Sequence, residues 1–152
     1  MVKEAGADDC IDLSVPDLHN SLREQVYALT EGRGADIVLD PLGDVYFAAA
    51  LRAVAWCGRL VVIGFAAGEI PSVKVNYLLV KNIEVSGLQV SDYRKRTPEK
   101  MAHCMQEIFR LYSEGKLTSS PVTTYPLESV REALAALRDR TGKGRQILLP
   151  NN

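Results

Sequence analysis

The chain has 152 residues, 47% of them hydrophobic, enough for one ordinary domain with a real core. Its 18 basic and 19 acidic side chains nearly cancel to a formal net charge of -1, which excludes the electrostatic footprint that nucleic acid or an anionic lipid surface requires. No apolar run approaches the roughly 18 residues of a membrane span, and "MVKEAGADD" lacks the layout of a signal peptide. The expectation is a soluble chain in the cytoplasm, with a mitochondrial location left open and neither nucleic acid nor membrane as partner.

Chain order gives an alternation of strands and helices. "DDCIDL" (8–13) follows Gly6 and has the alternation of a short strand. Asp17 is a helix cap, and Leu18, Leu22, Val26 and Leu29 repeat at helical spacing until Gly32 and Gly34. "ADIVLD" (35–40) is the apolar run of a strand covered on both faces. After the turn "PLGD", Asp44 caps a helix with Phe47, Leu51 and Val54 on one face, and Gly58 is expected to stop it.

"RLVVIGF" is the second apolar strand, followed by a loop holding Gly64 and Gly68. "SVKVN" alternates, "YLLV" is a turn of helix, and "IEVSGLQV" (83–90) is a third strand. Thr97-Pro98-Glu99 opens a helix whose buried face is Met101, Cys104 or Met105, Ile108 and Leu111, closed by Gly115. "PVTTYPL" is extended, "ESVREALAALRDRTG" is an amphipathic helix, and "RQILLP" is a last strand. The order predicts an α/β fold with a parallel sheet flanked by helices.

Ligands of open α/β sheets sit outside the C-terminal ends of the strands, which selects the turns "DPLGD", "GFAAG" and "GLQVS". Ordinary connections also need glycine there, so each turn alone is a weak signal. No phosphate-binding frame is complete. "GFAAG" has its glycines spaced G-x-x-x-G and runs into "EIPSVKV", where no helix begins to present its N–H groups. Neither "GRGADI" nor "GKGRQ" completes a G-x-G-x-x-G or a P-loop frame.

Catalytic constellations are equally thin: G-x-S-x-G and H-E-x-x-H are both missing. Asp92 and Tyr93 stand on the third turn, where solvent exposure is their ordinary role, as it is for Arg94-Lys95-Arg96. Cys10, Cys57 and Cys104 make no C-x-x-C pair. His103 adjoins Cys104, but helical neighbours point about 100° apart, so no metal is expected.

The order of motifs carries more than any single one. "EAGADDCID", "GRGADIVLDPLGD", "GRLVVIGFAAGEIP", "VKNIEVSGLQ", "LYSEGKL", "YPLESVREALAAL" and "TGKGRQILLP" follow one another as in the zinc-free medium-chain dehydrogenase/reductases, and the chain resembles the C-terminal part of a quinone oxidoreductase-like member. The resemblance implies an incomplete Rossmann-type parallel sheet lacking the first βαβ unit with its glycine fingerprint. By role, residues 1–116 resemble the cofactor-binding part, and 117–152 the helix and strand that return toward a catalytic domain.

NADP is the implied cofactor, with NAD possible, no metal, and a quinone or enone as small-molecule partner of the full-length parent. Pro41, Leu42 and Gly43 match the turn that passes the nicotinamide ribose; Gly64, Phe65 and Ala66 match the backbone bordering the nicotinamide. Leu88 and Val90 match the segment meeting the carboxamide, although the family's aromatic-glycine form is not kept at 89–91. Arg145 matches a basic residue near the pyrophosphate, and "SVKVN", with Val73 and Val75, matches a strand that pairs across a homodimer axis. No general acid or base is assigned. A sheet without its first two strands leaves residues 36–40 with an apolar edge. The chain alone is then expected to be marginally stable, rearranged or paired, and a silent dimerisation or interaction module is the alternative to an enzyme fragment.

Overall fold

The computed structural model describes residues 3–139 and 141–150. They divide into two compact units, one up to Met101 and one from Ala102 onward.

In the first unit, α1 (Leu18–Leu29) starts where expected. The Asp17 carboxylate accepts from the Asn20 backbone N–H at 3.3 Å and from its side-chain amide at 2.8 Å. Those bonds hold the Asp17 carboxyl below its ordinary range. Leu18, Leu22 and Val26, four residues apart, lie on the small side chains Ala49 and Ala53 of α2 (Asp44–Ala53). Asn20 ties the pair further, accepting from Arg52 Nη1 at 2.7 Å.

Residue 49 is about 200° around the helix from residue 47, so α2 carries two opposed apolar stripes. Phe47 and Leu51 form the second stripe and join Val54, Leu60 and Ile83 in the main core. At the C-terminal end of α2, Lys81 Nζ donates to Arg52 O at 2.8 Å and Val54 O at 2.5 Å. Burial pushes the Lys81 ammonium below its ordinary pKa.

The sheet is parallel in the order β1 (Ala35–Asp40), β2 (Val54–Val62), β3 (Glu84–Gly87). Ile37 pairs with Arg59, Asp40 with Val62, and Arg59 with Glu84. Two local expectations are corrected here. Gly58 does not stop α2, which ends at Ala53; β2 starts at Val54 and bulges before Arg59, with Cys57 at φ 59°. Gly58 serves that bulge, because a Cβ there would lie 3.0 Å from both Ala55 O and Asp36 O.

Residues 8–13 do not form a strand. Gln25 occupies the backbone of Asp12 instead: the Asp12 N–H donates to Gln25 Oε1 at 2.8 Å, and Gln25 Nε2 donates to Asp12 O at 3.0 Å. A glutamine side chain thereby fills the place of a neighbouring strand. Among the described residues β1 pairs with β2 alone, and Ile37 and Leu39 are 68% and 63% exposed, so this strand is not covered on both faces. The apolar edge expected at 36–40 is present.

Residues 71–74 are irregular before α3 (Asn76–Lys81). Val73 packs on the core while Val75 is 72% exposed, so the two do not share one exposed strand face. The third strand is shorter than 83–90, since α4 (Val90–Arg96) already begins at Val90. Pro98 opens α5 (Pro98–Ser113), but the Thr97 hydroxyl donates back to Tyr93 O at 3.3 Å. No residue of α5 is buried, so its apolar stripe is open rather than a core face.

In the second unit β4 (Val122–Pro126) pairs in parallel with β5 (Arg145–Leu149), Val122 opposite Arg145. Between them lies α6 (Val130–Arg138), which buries Ala133.

Leu60 is fully buried, so Leu60→Ala is expected to cost about 2–5 kcal/mol in urea unfolding followed by circular dichroism, and Leu39→Ser less than about 1 kcal/mol. Equal losses would contradict the exposed edge.

Candidate functional site

The site begins where β1 stops. Asp40 ends that strand 4% exposed, and its Oδ1 accepts from the backbone N–H groups of Leu42 and Gly43 at 2.9 and 3.0 Å. One carboxyl oxygen thus turns the chain through "DPLG". Gly43 then sits at φ 70°, ψ -147°, a region open almost only to glycine. A side chain there would also lie 3.0 Å from Phe65 Cδ1 and 3.1 Å from Glu69 O. Asp44 is not the helix cap but the first residue of α2, with Gly43 in the capping position.

The second turn is laid directly on the first. Ile63 N donates to Asp40 O at 2.9 Å, continuing the strand pairing past the end of β1. Ala66 N and Ala67 N donate to Pro41 O and Leu42 O, both at 3.0 Å, and Asp44 N returns a bond to Glu69 O at 3.1 Å. A Cβ on Gly64 would stand 3.1 Å from Pro41 O, so glycine permits this approach. The third turn is joined to the second by Leu88 N, which donates to Val62 O at 2.9 Å.

Eight of the expected site residues are therefore gathered on one edge. Pro41, Leu42 and Gly43 form the first turn, Gly64, Phe65 and Ala66 the second, and Leu88 and Val90 follow the third strand. Phe65 and Leu88 are 43% and 37% exposed, which leaves apolar surface beside the turns. Arg145 is the ninth. It lies exposed on β5 in the second unit, its backbone N–H donating to Pro121 O at 2.8 Å.

Asp40 and Glu69 were not singled out from the sequence. The signal for Asp40 was an acidic residue closing an apolar strand directly before Pro-x-Gly; Glu69 contributes only its carbonyl and leaves no side-chain signal. Asp40 lines a cavity of 140 Å³ together with Leu13, Leu22, Leu39 and Tyr46. A larger depression of 450 Å³ at the α4–α5 junction is lined by Tyr93, Arg96 and Lys100 among others. Asp92, at its wall, is paired with Arg96 at 3.3 Å. Among the described residues no three His, Cys, Asp or Glu side chains gather as metal ligands, and no helix is long and apolar enough to cross a membrane.

Residues 5–148 match the model of a family described as zinc-binding dehydrogenase. The chain belongs to this family. Among curated members it is 30% identical over 149 residues to a quinone oxidoreductase-like protein 2 homolog of Nematostella vectensis, covering 97% of this chain and 40% of that protein. It is 31% identical to quinone oxidoreductase-like protein 2 of Bos taurus, covering 97% of this chain and 41% of the relative. The chain thus spans about two fifths of the length of these family members.

Among solved structures, a mycobacterial protein in complex with NADPH superposes with a TM-score of 0.81 at 29% identity, over 97% of this chain and 45% of that one. A quinone oxidoreductase of Pseudomonas syringae gives 0.77 at 28% identity, over 97% and 44%. The parallel sheet with flanking helices is therefore the Rossmann-type sheet of this dehydrogenase family.

Gly43→Ala is expected to cost about 1–3 kcal/mol in urea unfolding, from the strained backbone and the Phe65 contact, and to speed hydrogen exchange at the Ala66 and Ala67 amides. Wild-type stability with unchanged exchange would contradict the interlocked turns.

Proposed function

We propose that the chain supplies the nicotinamide-facing part of a dinucleotide site, for NADP with NAD possible, in an oxidoreductase that passes hydride to a quinone or enone. The observation that carries this reading is the fusion of the three strand-end turns into one edge, at the place where open α/β sheets hold ligands. Two features fit a cofactor. Gly43 and Gly64 keep side chains away from the turns, and the Asp40 Oδ2 atom is buried with no partner among the described residues.

In this reading residues 1–116 serve the cofactor and 117–152 return toward the substrate side. Pro41, Leu42 and Gly43 pass the ribose. Gly64, Phe65 and Ala66 border the ring, and Leu88 and Val90 meet the carboxamide. When bound, the reduced nicotinamide supplies the hydride; no metal enters the proposal. Phe65 and Leu88 exclude water from the ring, and the hydrogen-bonded turns fix its orientation without rearrangement. No G-x-G-x-x-G frame stands in the chain to hold the adenosine half's pyrophosphate.

A second reading, a homodimer or interaction module without catalysis, is favoured by one surface. Ile70, Val75, Leu79 and Val80 are 72–78% exposed within eleven consecutive positions. An apolar cluster of this kind suits pairing about a two-fold axis, through Val75 rather than the core-packed Val73.

Saturation-transfer NMR separates the halves of the cofactor. The chain is expected to transfer saturation to reduced nicotinamide mononucleotide and not to the adenosine bisphosphate half of NADP. Equal transfer to both, or transfer to neither, would contradict the first reading. For the second, Val75→Asp with Leu79→Asp is expected to convert a sedimenting dimer to monomer; a wild-type chain that is monomeric at every concentration would dismiss it.

A further inference from the structure

The depression at the α4–α5 junction takes no part in the nicotinamide reading. It lies wholly within the first unit and measures 450 Å³, inside the roughly 300–1,000 Å³ of small-molecule sites. Gln89, Asp92, Tyr93 and Arg96 follow one another at helical spacing, so one side of α4 makes its first wall. Thr97 and Lys100 make the second, across the break between the two helices. Backbone bonds hold that break: Thr97 N donates to Tyr93 O at 2.9 Å, Lys100 N to Thr97 O at 3.0 Å, and Asp92 N to Gln89 O at 3.1 Å. The backbone of both walls is therefore set before any ligand arrives.

The cations of this lining are under-used. Lys100 has no ion-pair or side-chain hydrogen-bond partner among the described residues. Arg96 meets Asp92 at 3.3 Å yet stays 80% exposed, so its guanidinium is open to a further acceptor. Arg94, Lys95 and Glu99 stand outside the lining, and two cations against the single carboxylate of Asp92 leave one positive charge in excess. Apolar surface lies beside those charges, from the half-exposed Tyr93 ring and the aliphatic stems of Arg96 and Lys100.

We infer that this depression binds a small organic acid, with a single carboxylate on a flat apolar body. The carboxylate accepts from Lys100 Nζ and the Arg96 guanidinium, a charge-assisted pairing that the one excess positive charge balances. The body lies on Tyr93, and the Gln89 amide offers a further donor. A phosphate monoester fits less well, because its second negative charge finds no free cation and faces Asp92. The acid sits beside the third strand-end turn, since Gln89 stands between Leu88 and Val90.

Amide correlation spectra of the whole chain, titrated with naphthoate, naphthamide and naphthyl phosphate, test the site, because the three share one apolar body and differ in charge. Naphthoate is expected to shift the amides of Tyr93, Arg96 and Lys100 and to bind about tenfold more tightly than naphthamide, with the phosphate no tighter than the carboxylate. Lys100→Gln is expected to remove most of that factor and leave naphthamide binding unchanged, whereas Lys100→Arg keeps the preference. Equal wild-type affinity for acid and amide, tighter binding of the phosphate, or no naphthoate shifts at these three amides would each overturn the assignment. So would a Lys100→Gln chain with its full preference for the acid; if that variant fails to fold, the wild-type comparison of acid with amide decides alone. None of these outcomes touches the nicotinamide edge, whose reporters are the amides of Leu42, Gly43 and Ala66.

Discussion

The structure depends on the backbone bonds between the two turns that close β1 and β2. Ala66 and Ala67 donate to Pro41 and Leu42, and Asp44 donates back to Glu69, so the strand pairing continues past the sheet edge instead of fraying. Each bond is worth only about 1 kcal/mol net, but the set fixes two loops as one surface. Gly43 and Gly64 are the condition for it, because each lies where a side chain would press on the facing turn.

Beneath that edge the support is hydrophobic. Leu60 and Val54 of β2 are wholly buried, and α2 packs Phe47 and Leu51 against them on one face while pressing Ala49 and Ala53 toward α1 on the other. The same helix begins at the first turn, with Phe47 N donating to Gly43 O at 3.1 Å. Core packing and site geometry are therefore linked through one element. Ile37 and Leu39 mark the opposite limit, apolar positions on an edge strand that no described element covers.

Much of this was legible in the sequence because its period and punctuation were strong. Leu18, Leu22 and Val26 gave α1, the apolar runs gave β1 and β2, and the three strand-end turns were selected from the α/β rule. Reading failed where a tertiary partner overrode the local pattern. Gln25 supplies the hydrogen bonds that an alternating "DDCIDL" would otherwise seek from a strand. Gly58 resembles a helix stop, yet the bulge at Cys57 is what requires it. Val73 and Val75 alternate, but one points into the core. The half-used carboxyl of Asp40 was invisible, since a sequence shows an acidic residue but not which of its oxygens lacks a donor.

A nicotinamide at this edge is the central proposal, and amide correlation spectra test it most directly. On titration with reduced nicotinamide mononucleotide, the largest shifts are expected at the amides of Leu42, Gly43, Phe65, Ala66 and Leu88. Shifts confined to Tyr93, Arg96 and Lys100 at the α4–α5 depression, or no shifts at all, would contradict the account.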